Sequence, residues 1–356
     1  MKISFVIPAF NVEKYIDKTL ESLLSQESND FEALIIDDGS TDKTNLFISD
    51  FIKKNNLQNF KLIYKENGGA GSARNKGLSE ASGEYVLFLD ADDYVNNNLV
   101  STLCHVIKEK KYDMICWKFN QVSPDGQLLG EFSKIYPYDD SLNSGINVLY
   151  KIINKNFHIW TASTVYNREF LIRNEFRYSE EFCFGEDLEF IYKALIQAAN
   201  VRFINQTLSY YVHRTGSITH SYNITKFCSI NALKRVQESI EKKNILIPPS
   251  LLYKIKYDLI LDNYFYNFKY CAKLLYKQGY SIKNTTDKVL GDLQMNFPEI
   301  EVLISNLIKT YRGDNFRLYI SSILYNISPY LYTYLYIISN RIKKSIIKNN
   351  DMAFFL

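Results

Sequence analysis

Through the first hundred residues, short apolar runs alternate with amphipathic stretches. Residues 3–7, 34–36, 62–64 and 85–89 are short, mainly apolar runs that read as buried strands. Between them apolar residues recur at helical spacing. Ile16, Leu20, Leu23 and Leu24 share one face, Phe47, Phe51 and Ile52 another, and 74–81 reads as a third helix stopped by Gly83. Repeated strand–helix units of this kind predict a parallel sheet covered by helices on both faces.

From about residue 120 the pattern loosens. Ser123-Pro124-Asp125-Gly126 is a turn signal, between two strands or in a flexible loop. Residues 144–153 and 186–198 read as helices, the second with Leu188, Ile191, Tyr192 and Leu195 inward, and 201–204 and 208–212 as short strands. Beyond 222 the periodicity is almost wholly helical, broken at Pro248-Pro249 and near Asn296-Phe297-Pro298. The expectation is an α/β domain over 1–220 followed by a helical region over 221–356.

Charge sharpens that division. The chain of 356 residues carries 42 Lys and Arg against 39 Asp and Glu, a net +3 too small to point to nucleic acid. Residues 1–220 are net −6, whereas residues 221–356 are net +9. Cys104, Cys116, Cys183, Cys228 and Cys271 are an odd, scattered set without metal or redox spacing, which suits a reducing compartment. Met1-Lys2-Ile3-Ser4-Phe5 enters a strand pattern directly and does not read as a secretory signal, so a cytoplasmic location is expected.

Polar residues collect where the strands end. The first ends in Pro8-Ala9-Phe10-Asn11 and the second in Asp37-Asp38-Gly39-Ser40. The third leads into Asn67-Gly68-Gly69-Ala70-Gly71 and the fourth into Asp90-Ala91-Asp92-Asp93. Open α/β sheets bind ligands beyond the carboxyl ends of their strands, so this edge is the expected site. Asp90 and Asp92 alternate to one side, where two hard carboxylates can share Mg2+ or Mn2+ with a ligand phosphate; the plainer reading is a cap for the helix starting near Asn97.

The glycine run 67–75 fits neither a dinucleotide fingerprint nor a P-loop. Its glycines permit close approach to a ligand, with Arg74 placed to answer a phosphate; otherwise it is a flexible loop with a surface arginine. Asp37 and Asp38 either cap the next helix with Ser40 or Thr41, or accept hydrogen bonds from a base or a ribose. Gly185-Glu186-Asp187 opens a helix, where acidic groups serve as caps, and where the dipole would also keep a general base ionised.

Together these segments resemble family 2 glycosyltransferases. The resemblance is carried by Val6-Ile7-Pro8-Ala9-Phe10-Asn11, Ile36-Asp37-Asp38-Gly39-Ser40-Thr41-Asp42, Gly71-Ser72-Ala73-Arg74-Asn75-Lys76-Gly77, Gly83-Glu84-Tyr85 with Asp90-Ala91-Asp92-Asp93, and Gly185-Glu186-Asp187. It covers residues 1–220 and implies an inverting enzyme of the GT-A fold, a Rossmann-like mixed sheet with helices on both faces. It also implies a UDP-sugar donor and a divalent cation, Mn2+ or Mg2+. By position, Pro8 and Phe10 would flank the uridine, Asp38 would accept the uracil N–H, and Arg74 would face the phosphates. Asp90 would reach ribose or metal, Asp92 would be the main metal ligand, and Asp93 is common in the family.

On the same resemblance Asp187 would be the base, with Glu186 its alternative. The segment Tyr210-Tyr211-Val212-His213-Arg214-Thr215-Gly216-Ser217 is similar to the family's loop over the diphosphate, with His213 a metal ligand or a neutral packing group. A glycosidase has no use for a nucleotide-shaped edge. A nucleotidyltransferase would want a basic glycine loop after the first strand. A catalytically silent nucleotide-sugar-binding relative is the alternative, and retention of Asp92 and Asp187 argues against it.

Residues 318–340 carry no charged side chain and lie between Arg317 and Arg341-Ile342-Lys343-Lys344. Six tyrosines and Pro329 favour a helix lying in the membrane interface over a buried or dimer helix or a true span. With the family's frequent work on lipid-linked saccharides, that implies a lipid-linked acceptor for capsule, exopolysaccharide or O-antigen synthesis at the cytosolic face of the membrane.

Overall fold

The structure is a computed structural model that describes residues 2–131, 142–180, 184–214 and 221–349. Cys183, the end of the expected closing loop (Thr215-Gly216-Ser217) and the expected boundary at 220 lie outside the described residues. The chain divides into two compact units, Met1–Thr215 and Gly216–Leu356.

In the first unit the four expected strands form β1 (Ile3–Ala9), β2 (Phe31–Asp37), β3 (Phe60–Tyr64) and β4 (Tyr85–Phe88). Helices α1 (Ile16–Leu24), α2 (Thr44–Lys54) and α3 (Gly69–Glu80) connect them. They pair in parallel in the order β3-β2-β1-β4. The parallel pattern stops there. β9 (Thr164–Asn167) runs antiparallel to both β4 and β6 (Met114–Val122), and β10 (Val201–Val212) then pairs in parallel with β6. β5 (Tyr94–Val95) closes this edge against β10, and β8 (Leu142–Asn143) pairs antiparallel with the start of β10. The sheet is thus mixed, because the four-residue β9 is inserted between β4 and β6 and runs antiparallel to both.

Two expectations are refined. The turn at Ser123-Pro124-Asp125-Gly126 joins β6 to β7 (Leu128–Glu131), with Gly126 at φ +86° and its N–H donating to Ser123 O at 2.8 Å. The strands read at 201–204 and 208–212 are one strand, irregular between Ile204 and Ser209 where the register against β6 shifts.

Helix α4 (Leu99–Glu109) follows β5, α5 (Gly145–Ile153) is capped by Ser144, and α6 (Arg168–Arg173) follows β9. α7 (Glu186–Gln197) is placed by aromatic packing. Phe190 stacks on Tyr178 at 4.2 Å and meets Phe88 and Tyr166 edge-on at 5.5 and 5.3 Å. That cluster fastens the start of α7 beside the end of β4.

The second unit is helical: α8 (Cys228–Lys242), α9 (Pro249–Tyr253), α10 (Ile260–Lys277), α11 (Ile282–Asn296), α12 (Pro298–Thr310), α13 (Phe316–Ile327) and α14 (Pro329–Asn349). A π-helical turn, Lys254–Leu259, joins α9 to α10. The charge-free run is not one interfacial helix. Pro329 cannot continue α13 and starts α14 instead. Leu318, Ser322, Tyr332 and Ile337 are buried, and the Tyr325 and Tyr264 hydroxyls hydrogen-bond at 2.5 Å. Among the described residues no helix is long and apolar enough to cross a membrane.

Candidate active site

The loops after β1 and β2 are tied to each other before any ligand is considered. Asn11 adopts φ +52°, accepts the Thr41 N–H at 2.8 Å, and donates its own N–H to Ser40 Oγ at 3.1 Å. Asp37 accepts from the Ser40 N–H at 2.9 Å and the Asn45 amide at 3.0 Å, which is the turn-capping alternative read from sequence. Phe10 stands outward, 47% exposed, beside half-buried Pro8, so its ring is open to a flat partner.

Asp38, by contrast, is 2% exposed. Its carboxylate accepts the Gly68 and Gly69 N–H groups at 3.0 and 2.8 Å and pairs with Lys65 Nζ at 2.6 Å. A carboxylate from β2 thereby satisfies the opening N–H groups of α3, so the glycine run is helical from Gly69, five residues earlier than the spacing predicts. The flexible-loop reading of this run is corrected accordingly.

Arg74 is likewise no surface group. It is 5% exposed, lies over the Tyr178 ring, and its guanidinium donates to Asp90 Oδ1 at 2.8 Å and Glu186 Oε1 at 2.9 Å. Burial opposes its charge, but the neighbouring carboxylates, Asp90 foremost, more than compensate and raise its pKa above the ordinary guanidinium value. The expectation that it faces a donor phosphate changes: both terminal nitrogens are committed to carboxylates that arrive from β4 and from α7.

The acidic run after β4 turns sharply, with the Asp93 N–H donating to Asp90 O at 3.1 Å. Asp93 is 1% exposed and accepts the Val212 N–H at 2.7 Å, which fastens the end of β10 next to the run. Asp92 pairs with Arg214 Nε at 2.7 Å, and that guanidinium also lies over the Tyr15 ring. Arg214 therefore meets Asp92, where the resemblance had it over a diphosphate. His213 Nε2 sits 2.9 Å from Gln121 Oε1, with its ring edge-on to Tyr211, an arrangement that fits the packing role better than the metal role.

At the start of α7, Gly185 takes φ +89° and Asp187 accepts the Leu188 N–H at 2.7 Å. Burial raises the Glu186 pKa, aided by Asp187 and opposed by Arg74. Burial also raises that of Asp92, aided by Asp90 and opposed by Arg214, and drives that of Asp93 well up, with Asp92 and Asp90 adding to it.

Acidic groups thus outnumber the two arginines at this edge. Such a surplus of hard oxygen donors would suit a divalent cation, which Asp90 and Asp92 would hold. Among the described residues no three His, Cys, Asp or Glu side chains form a cage, so a cation here would take further oxygens from its substrate.

Sequence reasoning missed Lys65, Tyr178, Tyr15 and Gln121. Lys65 stood just before the glycine run and was a readable signal. The other three reach the site only through packing.

The mixed sheet, the acidic turn after β4 and the helix opening on Glu186-Asp187 define a nucleotide-diphospho-sugar transferase fold of the GT-A type. Residues 4–175 match the profile of Glycosyl transferase family 2. Over 257 residues the chain is 30% identical to the poly(ribitol-phosphate) beta-N-acetylglucosaminyltransferase TarS of Staphylococcus aureus, covering 69% of this chain and 43% of that protein. It is 30% identical over 226 residues to the glycosyltransferase GlyG of Streptococcus pneumoniae, covering 61% of this chain and 72% of that one. The crystal structure of S. aureus TarS 1–349 in complex with UDP-GlcNAc superposes with a TM-score of 0.65 at 23% identity, over 93% of this chain and 90% of that one. This chain belongs to the family 2 glycosyltransferases. It spans less than half the length of the TarS relative.

Proposed function

We propose that this protein is an inverting, metal-dependent glycosyltransferase of cell-surface polymer synthesis. It moves a sugar from a UDP-sugar to a hydroxyl of a lipid-linked saccharide at the cytosolic face of the membrane. The observation that carries the reading is the Arg74 bridge, which holds the start of α7, with Asp187, against the end of β4, with Asp90. A proton acceptor and the nucleotide-facing carboxylates thereby share one edge. TarS, a relative with the same fold, has been crystallised with UDP-GlcNAc, which supports a UDP-sugar donor.

In this mechanism Phe10 and Pro8 flank the base, and Asp38 reads its N–H while remaining the cap of α3. Asp90 and Asp92 would hold Mn2+ or Mg2+, which when bound would supply Lewis-acid stabilisation of the leaving diphosphate. Asp187 takes the proton of the acceptor hydroxyl as that oxygen attacks the anomeric carbon opposite the diphosphate; one displacement inverts the centre. Arg214 is free to exchange Asp92 for the diphosphate as the donor enters, because its ion pair is partly exposed.

The test is UDP release from a panel of UDP-sugars in Mn2+, with and without membrane lipid extract. Wild type should release UDP from one donor, faster with extract. Asp187→Asn should bind that donor normally by calorimetry and turn over at least ~10²-fold more slowly. Turnover within a few-fold of wild type would move the base elsewhere, first to Glu186.

A further inference from the structure

Helices α13 and α14 are apolar on two sides. One side is packed inward through Leu318, Tyr332 and Ile337. The other presents Phe316, Tyr319, Ile320, Ile323 and Ile327 of α13, all exposed; 316, 319/320, 323 and 327 recur at helical spacing, so they form a single stripe. α14 packs beside α13 and adds exposed Tyr330, Leu331, Tyr334 and Leu335. Single exposed apolar residues are ordinary; a continuous double stripe marks an interaction surface.

The charges around the stripe identify the occupant. Exposed Lys309, Arg312 and Arg317 precede it and exposed Arg341 follows it, with Asp314 the one acidic residue between Lys309 and Arg341 in the sequence. Asp287 of α11 adds one more negative group nearby, where it accepts the Tyr330 hydroxyl at 2.6 Å. A rim so basic repels a second copy of itself and attracts an anionic surface. The stripe alternates tyrosine with branched aliphatics, the composition of groups that sit at headgroup depth. Neither helix is long and apolar enough to span.

We infer that the outward stripe of α13 and α14 docks in the headgroup region of an anionic lipid bilayer, with Lys309, Arg312, Arg317 and Arg341 near its ends on lipid phosphates. This rests on the proposed function and deepens it, since it assigns the membrane-contacting face to particular side chains. The charge-free run acts through one face of two helices, and its other face belongs to the core of its own unit.

Sedimentation of the full chain with vesicles tests it. The protein should bind phosphatidylglycerol-containing vesicles at low salt, leave them in high salt, and bind pure phosphatidylcholine weakly. Combining Ile323→Glu with Ile327→Glu should weaken binding by about tenfold or more, and so should Leu331→Glu on α14 independently. Each variant should keep the wild-type melting temperature and UDP release, whose residues all lie in Met1–Thr215. Full-length protein that ignores anionic vesicles at low salt, or folded variants that bind as wild type does, would overturn the proposal. A dimer dispersed by these substitutions, in protein that ignores vesicles, would assign the stripe to a second copy instead. Failure of the transferase reading itself would appear separately, as no UDP release from any donor.

Discussion

Glu32 is an ionisable residue in a strand whose seven residues are all buried. Burial alone would raise its pKa. The Ser82 N–H and hydroxyl and the Ser4 hydroxyl, each at 2.7 Å, together with Lys61 Nζ at 3.7 Å, outweigh that and lower it. A carboxyl depressed on folding contributes stability that is fully present above its unfolded pKa and is lost as pH falls through the folded one. Glu32→Gln should therefore destabilise the protein by about 1–3 kcal/mol near neutrality, by leaving strong donors less well answered. The gap to wild type should narrow as pH falls below the ordinary carboxylate range, where wild type protonates. Denaturant midpoints at neutral and acid pH measure it; a gap that does not change with pH would mean Glu32 is not folded as a carboxylate. Arg74 answers the same problem of buried charge in reverse, one cation between two carboxylates. Breaking such a group on one side only is costly, which makes it a firm tie between α3, β4 and α7.

At the scale of elements, α3 is the piece on which the site turns. Its glycines are there for proximity as much as for freedom: a Cβ at Gly77 would lie 2.2 Å from Val6 Cγ1 of β1, and one at Gly71 would lie 2.4 Å from Ser179 O. The helix consequently lies flat on the sheet, and Arg74, between these two positions, reaches the strand ends. Alanine is the better helix former by about 1 kcal/mol in isolation. Gly77→Ala should nonetheless destabilise the protein by about 1–3 kcal/mol, because overpacking pushes α3 off β1. It should also slow UDP release, since Arg74 moves with the helix. Thermal melting and turnover on the same sample check both, and a stabilised, fully active variant would remove the close approach from the account.

Across the whole molecule, every candidate site residue falls in the unit Met1–Thr215, while the apolar stripe falls in Gly216–Leu356. The proposed chemistry and the inferred membrane contact thus belong to separate units. On the proposed mechanism, UDP with Mn2+ at about a hundred times its dissociation constant stabilises the binding-competent fold by about 2.7 kcal/mol. Hydrogen exchange should slow at the Gly68, Gly69 and Val212 amides, which Asp38 and Asp93 fasten, and stay unchanged across 221–349. In Asp92→Asn the Mn2+-dependent part of that protection should vanish. Equal protection in wild type and variant would place the cation away from Asp92.

Local patterning was enough to read the strand–helix alternation of the first hundred residues, the strand-end clustering of Phe10, Asp38, Asp90 and Asp92, and the two helical breaks at proline. Each of these follows from periodicity or backbone chemistry that acts within a few residues. Contacts between distant segments decided the rest. The glycine run is helical because Asp38, thirty residues away, accepts its first N–H groups. Arg74 is a buried bridge because α7 arrives from 112 positions further on. β9 is a strand because β4 and β6 leave a place between them, and the charge-free run is two half-buried helices because Pro329 divides it and the tyrosines of one face find partners. Burial and hydrogen-bond satisfaction are properties of neighbours in space, and spacing along the chain carries no record of them.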